Sequence, residues 1–255
     1  MLDRISDSLR TIAGARNFDL NSRARRHGLR SVAMPFALPL RDTAYGHYSF
    51  SGFLKTDSIY IHIPKAGGVS IANSLYGNIG AGHFTWAQYD QLFADEFVRR
   101  AFKFAIVRNP WDRIHSAFHF LSKGAGRFDF DLGPFRKAVG GRSFEGFVLD
   151  ALPTAEVQAM IHFRPCMDFL RGKDGGIGHL DFIGRFENME QDFATIAARV
   201  NPQASLLHMN RTDGSRADAY RRAYTPEMVD TVAGLYADGI AALGYAFEGG
   251  TPQVR

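Results

Sequence analysis

Cysteine is all but missing from this chain of 255 residues, where Cys166 stands alone. No intrachain disulfide can form, which excludes a small secreted scaffold stapled by bridges and points to a reducing compartment. Long hydrophobic runs are missing as well. No stretch of 18 apolar residues occurs, and Met1 to Leu20 (MLDRISDSLRTIAGARNFDL) lacks the uninterrupted apolar core of a signal peptide. The expectation is a cytoplasmic protein without a transmembrane segment. Internal repeats and low-complexity segments are absent too, which excludes solenoid and linker-like architectures.

What is present is an ordinary globular composition, with 45% hydrophobic and 22% charged residues, far from the signature of disorder. The length suits one sizeable domain. A formal charge of +4 favours anionic partners such as phosphates, acidic glycans, nucleic acid or membrane surfaces without choosing among them. Residues 1–50 read as a basic N-terminal arm, with Arg23, Arg25, Arg26 and Arg30 followed by the apolar stretch Ser31 to Leu40 and its two prolines. Residues 51–255 read as the folded domain.

Within that domain, SIYIHI (58–63) is a strand-length apolar run that stops at Pro64, with two glycines close behind. Trp86, Tyr89, Phe93, Phe97 and Val98 recur at helical spacing, and FKFAIV (102–107) is a second buried strand. Pro110 and Asp112 mark the start of a helix whose apolar face carries Ile114, Ala117, Phe118 and Leu121, with Gly124 and Gly126 at its end. HLDFIG (179–184) is a third strand and 188–200 a helix. Thr225-Pro226-Glu227 opens a last helix with Val229, Val232, Tyr236 and Ile240 inward. Strands alternating with helices predict an α/β fold with a mostly parallel sheet covered on both faces.

In such a sheet, ligands bind beyond the carboxyl ends of the strands, and both of the first two strands end in anion-binding chemistry. After the first comes Pro64-Lys65-Ala66-Gly67-Gly68-Val69-Ser70, where glycines let backbone N–H groups close around a phosphate at a helix start. Lys65 precedes both glycines, whereas a Walker A lysine follows the last one, so the loop departs from generic NTP binding. After the second strand comes Arg108, a planar fork of donors, with the Ser116 hydroxyl two helical turns on.

These two segments, YIHIPKAGGVSI and FAIVRNPWDRIHSAFHFL, resemble the two segments with which sulfotransferases bind PAPS, the 3'-phosphoadenosine-5'-phosphosulfate donor, and especially those of the carbohydrate group. HFRPCMDFL (162–170), DFIGRFENMEQDF (181–193) and HMNRT (208–212) with the following YTPE helix resemble that family further, so the likeness runs from Ser58 to Phe247. It implies a P-loop-kinase-like three-layer fold with a central, mostly parallel sheet of about five strands. It implies that Lys65, Ala66, Gly67, Gly68, Val69 and Ser70 hold the 5'-phosphosulfate and that Arg108 and Ser116 hold the 3'-phosphate. Phe186 lies in the segment that runs near the adenine, and Arg211 in the loop that closes over the nucleotide. The implied reaction is in-line transfer of a sulfuryl group from PAPS, leaving PAP, to the hydroxyl of a carbohydrate or glycolipid, with no metal required and with no nucleic acid as partner. Lys65 balances charge on the leaving phosphate. His83, in Gly82-His83-Phe84, resembles the base histidine of uronyl 2-O-sulfotransferases, although Ala81 stands where those enzymes carry a second histidine; Glu96 is the fallback.

Two other readings stay open on sequence: a P-loop nucleoside or small-molecule kinase, and a non-catalytic glycan-binding protein. His115 and His119 are four apart on a helix but lack the third-ligand pattern of a metal site. His162 and Arg164 sit in a loop segment, while Arg127, Arg136, Lys137, Arg171 and Lys173 are the basic residues available to line an acidic-sugar groove. Cys166 reads as a structural thiol, Asn210-Arg211-Thr212 as an accidental sequon, and the glycine-rich 172–178, which precedes a strand instead of following one, as a surface turn.

Overall fold

The computed structural model describes residues 50–80, 82–93, 95–124, 132–207 and 219–249, together with the backbone of 42–43 and 46–47, which pair as a two-residue antiparallel ladder. The basic cluster of the arm, Ala81, Arg127 and the HMNRT segment with Arg211 lie outside the described residues. Backbone contacts gather the chain into two compact units. One comprises residues 1–63, 67–106 and 169–209; the other comprises 64–66, 107–168 and 210–255.

The first unit carries a small parallel sheet of β1 (Ser58–Ile61), β2 (Phe102–Val107) and β3 (Phe182–Arg185), in that order. In the β1/β2 ladder Ser58 faces Phe102 and Ile61 faces Ala105. All four residues of β1 and the last four of β2 are buried, which is why both read as unbroken apolar runs. Among the described residues this sheet has three strands, against the five or so that the family resemblance implies. β1 stops two residues before the end of its apolar run, because Pro64 cannot donate to a ladder and Lys65 turns the chain with a left-handed φ of 66°. β3 starts later than its pattern suggests: Asp181 still exchanges hydrogen bonds with Lys103, its N–H donating to the carbonyl and its carboxylate accepting from the amide, while Leu180 closes a turn onto Ile177.

α1 (Ser51–Thr56) leads into β1, and α2 (Gly68–Tyr76), α3 (Trp86–Leu92) and α4 (Asp95–Arg100) connect β1 to β2. The helical periodicity from Trp86 to Val98 thus belongs to two helices. Thr85 opens α3 with a capping box to Gln88, and the extended backbone of Phe93 ends it. A further helix, Met189–Val200, follows β3 and buries Phe193, Ile196, Ala197 and Val200.

The second unit is built on α5 (Pro110–Ser122), which starts where the sequence predicts: Pro110 occupies the first turn and the Asn109 side chain accepts from the Trp111 amide. Trp111, Ile114, Ala117, Phe118 and Leu121 of α5 share one core with Phe147, Val148, Phe163, Met228, Val232 and Tyr236. The last predicted helix is two, Pro226–Leu235 and Ala237–Leu243, parted at Tyr236. Val232 and Tyr236 are buried as expected, and Met228 is buried with them. The glycine-rich 172–178 is an irregular turn, as its position before a strand predicts. Among the described residues, no helix is long and apolar enough to cross a membrane.

Candidate active site

In the first unit, the glycine loop leads straight into α2. Gly67 is the cap residue, with φ 79°, and a methyl group there would meet Met189 Cε at 2.7 Å and Phe186 Cδ2 at 3.3 Å. Phe186, predicted to run near the adenine, is therefore packed against the glycine loop. Gly68 has no room either, since a Cβ would fall on the imidazole of His62. Both glycines are where the backbone must come close to something, and α2 presents its first N–H groups behind them. Val69 and Ser70 form that first turn, and their carbonyls accept from Asn73 and Ser74 one turn on.

His83 approaches from the loop before α3. Its Nδ1 lies 2.9 Å from the His62 carbonyl oxygen, and the two rings are 4.4 Å apart. A carbonyl only accepts, so Nδ1 carries the proton and Nε2 carries the lone pair, which is the tautomer a general base needs. His62 itself is buried and stacks on Tyr60. Burial, with His83 second, holds its ring well below the ordinary histidine range, so it is neutral. Its Nδ1 has no hydrogen-bond partner among the described residues.

In the second unit, Lys65 and Arg108 meet. Arg108 Nη1 donates to the Lys65 carbonyl at 2.9 Å, while Nε and Nη2 hold the two oxygens of Asp112 at 2.8 Å each. Asp112 therefore sets the plane of the guanidinium and Arg108 tethers the Lys65 turn. The Lys65 ammonium lies 3.6 Å from the centroid of the Phe120 ring. Burial, with the Arg108 charge second, pushes it down to about 7. Ala66, next along the loop, is fully buried. Asp112, Ser116 and Phe120 are four residues apart on α5 and line one strip of it, so half-buried Ser116 sits between the group that holds Arg108 and the ring that holds Lys65. Chain connectivity carries this turn on from Ala66 to Gly67.

Sequence reasoning did not single out His62, Asp112 as the Arg108 partner, or Phe120. The signal for His62 is a polar residue at the end of an apolar strand, and for Phe120 its i+4 spacing from Ser116. His115 and His119 bond to each other, Nε2 to Nε2 at 3.0 Å, and burial together with His119 pushes His115 down to about 4. Among the described residues no third His, Cys, Asp or Glu joins them to make a metal cluster. His162 and Arg164 offer their carbonyls to Arg113, whose guanidinium is fully buried. Cys166 is a buried thiol.

A mixed helix-and-sheet fold whose first two strands lead into a glycine turn and a pair of cations is suited to meeting an anionic group. The family comparison agrees: a model described as Sulfotransferase family matches residues 55–246, more than half of the chain, and the chain belongs to that family. It is a transferase of sulfuryl groups. Comparison with curated proteins and with solved structures gives no match.

Proposed function

We propose that this protein transfers the sulfuryl group of PAPS in line to a hydroxyl of a carbohydrate or glycolipid, on a P-loop-kinase-like framework and in the cytoplasm. The observation that carries the reading is the Lys65–Arg108 pair: two cations from the tips of two neighbouring strands, joined through the Lys65 carbonyl, with Asp112 paired to Arg108. A nucleotide phosphorylated at both the 5' and 3' positions needs two such groups. The residues fit it. In one unit Gly67 and Gly68 leave a backbone cradle that a Cβ would fill, with Phe186 beside it; in the other Lys65 and Arg108 carry positive charge, and 64–70 is one continuous stretch of chain. Bound, PAPS supplies an activated sulfuryl group on a phosphate leaving group.

The chain's own residues then have distinct tasks. Lys65 balances the charge that grows on the leaving phosphate, and Ser70 and the first turn of α2 orient the 5' end. Arg108 and Ser116 take the 3'-phosphate, and Arg211 belongs to the loop that covers the nucleotide. His83 removes the acceptor proton at Nε2 while Nδ1–H stays on the His62 carbonyl. Arg127, Arg136, Lys137, Arg171 and Lys173 are the basic residues proposed as candidates to meet an acidic sugar. The test is a radiolabelled PAPS transfer screen over polysaccharide, lipid-sugar and small-alcohol acceptors, with calorimetry of PAP alongside. Micromolar PAP binding, far weaker ATP binding and label on a glycan are expected. Equal affinity for ATP with no label on any acceptor would sink the reading.

A further inference from the structure

Lys65 is held at both ends. Its backbone has a left-handed φ of 66°, a conformation few non-glycine residues adopt, and its carbonyl is bound by Arg108. At the far end of the side chain the ammonium rests on the face of Phe120, 3.6 Å from the ring centroid. Among the described residues no carboxylate pairs with that ammonium; the nearest acid in this network, Asp112, is spent on Arg108.

We infer that Phe120 is a positioning residue for Lys65: its ring face keeps the side chain charged and extended over the Ser116 strip of α5 in the donor-free protein. The inference rests on the reading of Lys65 as the group that balances the leaving phosphate. The physical reason is the aromatic quadrupole. Burial strips water from the ammonium, and the positive Arg108 repels it, so both favour the neutral amine. An aliphatic neighbour would add to the burial and return nothing. The negative face of a benzene ring returns part of the lost solvation, most when the site is dry. Of the other groups around this contact, Asp112 pairs with Arg108, and burial keeps His115 and His119, on the same helix as Phe120, below the ordinary histidine range, so the repulsion from Arg108 is the main charge effect the ring works against. His162 packs 5.8 Å from the Phe120 ring, centroid to centroid.

The test is the pH dependence of Lys65 acylation by acetic anhydride in the donor-free protein, read peptide by peptide in a mass spectrometer, for wild type, Phe120→Leu and Phe120→Tyr. Phe120→Leu keeps the apolar volume and removes the ring; Phe120→Met does the same if the leucine variant does not fold. The leucine or methionine variant is expected to ionise Lys65 about 0.5–1.5 lower on the pH scale. A drop of one corresponds to acylation about fivefold faster at pH 6. Phe120→Tyr keeps the wild-type profile. An unchanged or upward midpoint without the ring overturns the inference. Sulfuryl transfer, measured on the same variants, separates the two ideas. Loss of transfer at pH 8 exceeding loss at pH 6 in Phe120→Leu supports the role in catalysis, whereas a Lys65 midpoint that falls in Phe120→Leu while the wild-type protein transfers to no acceptor leaves the ring contact standing and removes the proposed function.

Discussion

Arg108 donates to the carbonyl of Lys65 at 2.9 Å, forty-three residues back in the chain, so the turn after β1 and the tip of β2 are one hydrogen-bonded unit. Three donors of the same guanidinium serve two acceptors, since Nε and Nη2 also hold Asp112. Arg108→Lys keeps the charge and loses the fork, because an ammonium cannot hold a carboxylate in two places and reach a carbonyl besides. PAP affinity is expected to fall about tenfold or more, the scale of one charge-assisted hydrogen bond. Calorimetric titration of PAP measures it. An affinity within twofold of wild type would mean that charge alone matters at this position.

Lys65 gives the pH dependence. The folded protein ionises it at about 7, against 10.5 for an unburied lysine. Between those values the unfolded chain holds a proton that the folded chain does not, so stability rises with pH across the window. Below about 7 both states are charged and the burial penalty is paid in full. Lys65→Met should therefore melt several degrees higher than wild type at pH 6 and lose that advantage as pH approaches 10.5. Thermal denaturation over pH 6 to 10 shows it; a constant difference at every pH would assign the effect to packing.

The strand ends and helix starts around the candidate site were legible because each apolar run stops at a residue that cannot continue it or opens a helix after it. FKFAIV is β2 to the residue, and the glycine run after SIYIHI does open a helix. The Thr225 cap and the burial of Val232 and Tyr236 followed from local pattern as well. What the sequence concealed is long-range or conformational. No periodicity tells that Lys65 lies on Phe120, because the contact joins residues 55 positions apart and depends on a left-handed turn at a lysine. His62 looks like one more position of a buried strand until the missing Cβ of Gly68 shows why a flat ring is needed there. The split of the Trp86–Val98 pattern into two helices was hidden for a related reason: an extended Phe93 leaves the apolar spacing intact while breaking the backbone.

The His83 tautomer makes a separable prediction. With Nδ1–H on the His62 carbonyl, Nε2 is the basic nitrogen. His83→Ala should lower turnover by about 10²–10⁴-fold, the usual worth of a general base. PAP affinity should stay near wild type, because the proposed role of the imidazole lies in the acceptor step alone. Parallel turnover and PAP titrations decide it, and equal losses in both would return His83 to a structural role.

Gly68 and His62 should be energetically coupled. Gly68→Ala places a methyl group on the His62 ring and is expected to cost about 1–3 kcal/mol, as overpacking of a core does. In a His62→Ala background the methyl has space, and the same substitution should cost at least about 1 kcal/mol less. A double-mutant cycle in denaturant measures the difference. Additive losses would show that the cost of the methyl group does not come from the His62 ring.

Arg113 poses the opposite question, whether a buried cation helps or harms. Its side chain is fully buried, and its two terminal nitrogens donate to the carbonyls of His162 and Arg164 at 3.0 and 2.7 Å. Replacing a buried charge by an apolar side chain of similar volume stabilises some proteins, because the desolvation cost disappears. Here the acceptors are backbone carbonyls that stay behind: Arg113→Met leaves two of them without their donors, at about 1–3 kcal/mol apiece. Desolvation of a guanidinium is offset in part by the Tyr236 ring 5.9 Å away. The carbonyls should win, and Arg113→Met should melt lower by roughly 4–8 °C, taking about 2 kcal/mol as the net loss. Arg113→Lys, able to reach one carbonyl at a time, should fall between. A methionine variant as stable as wild type would reverse the argument and make the buried charge a burden kept for the placement of the His162–Arg164 segment.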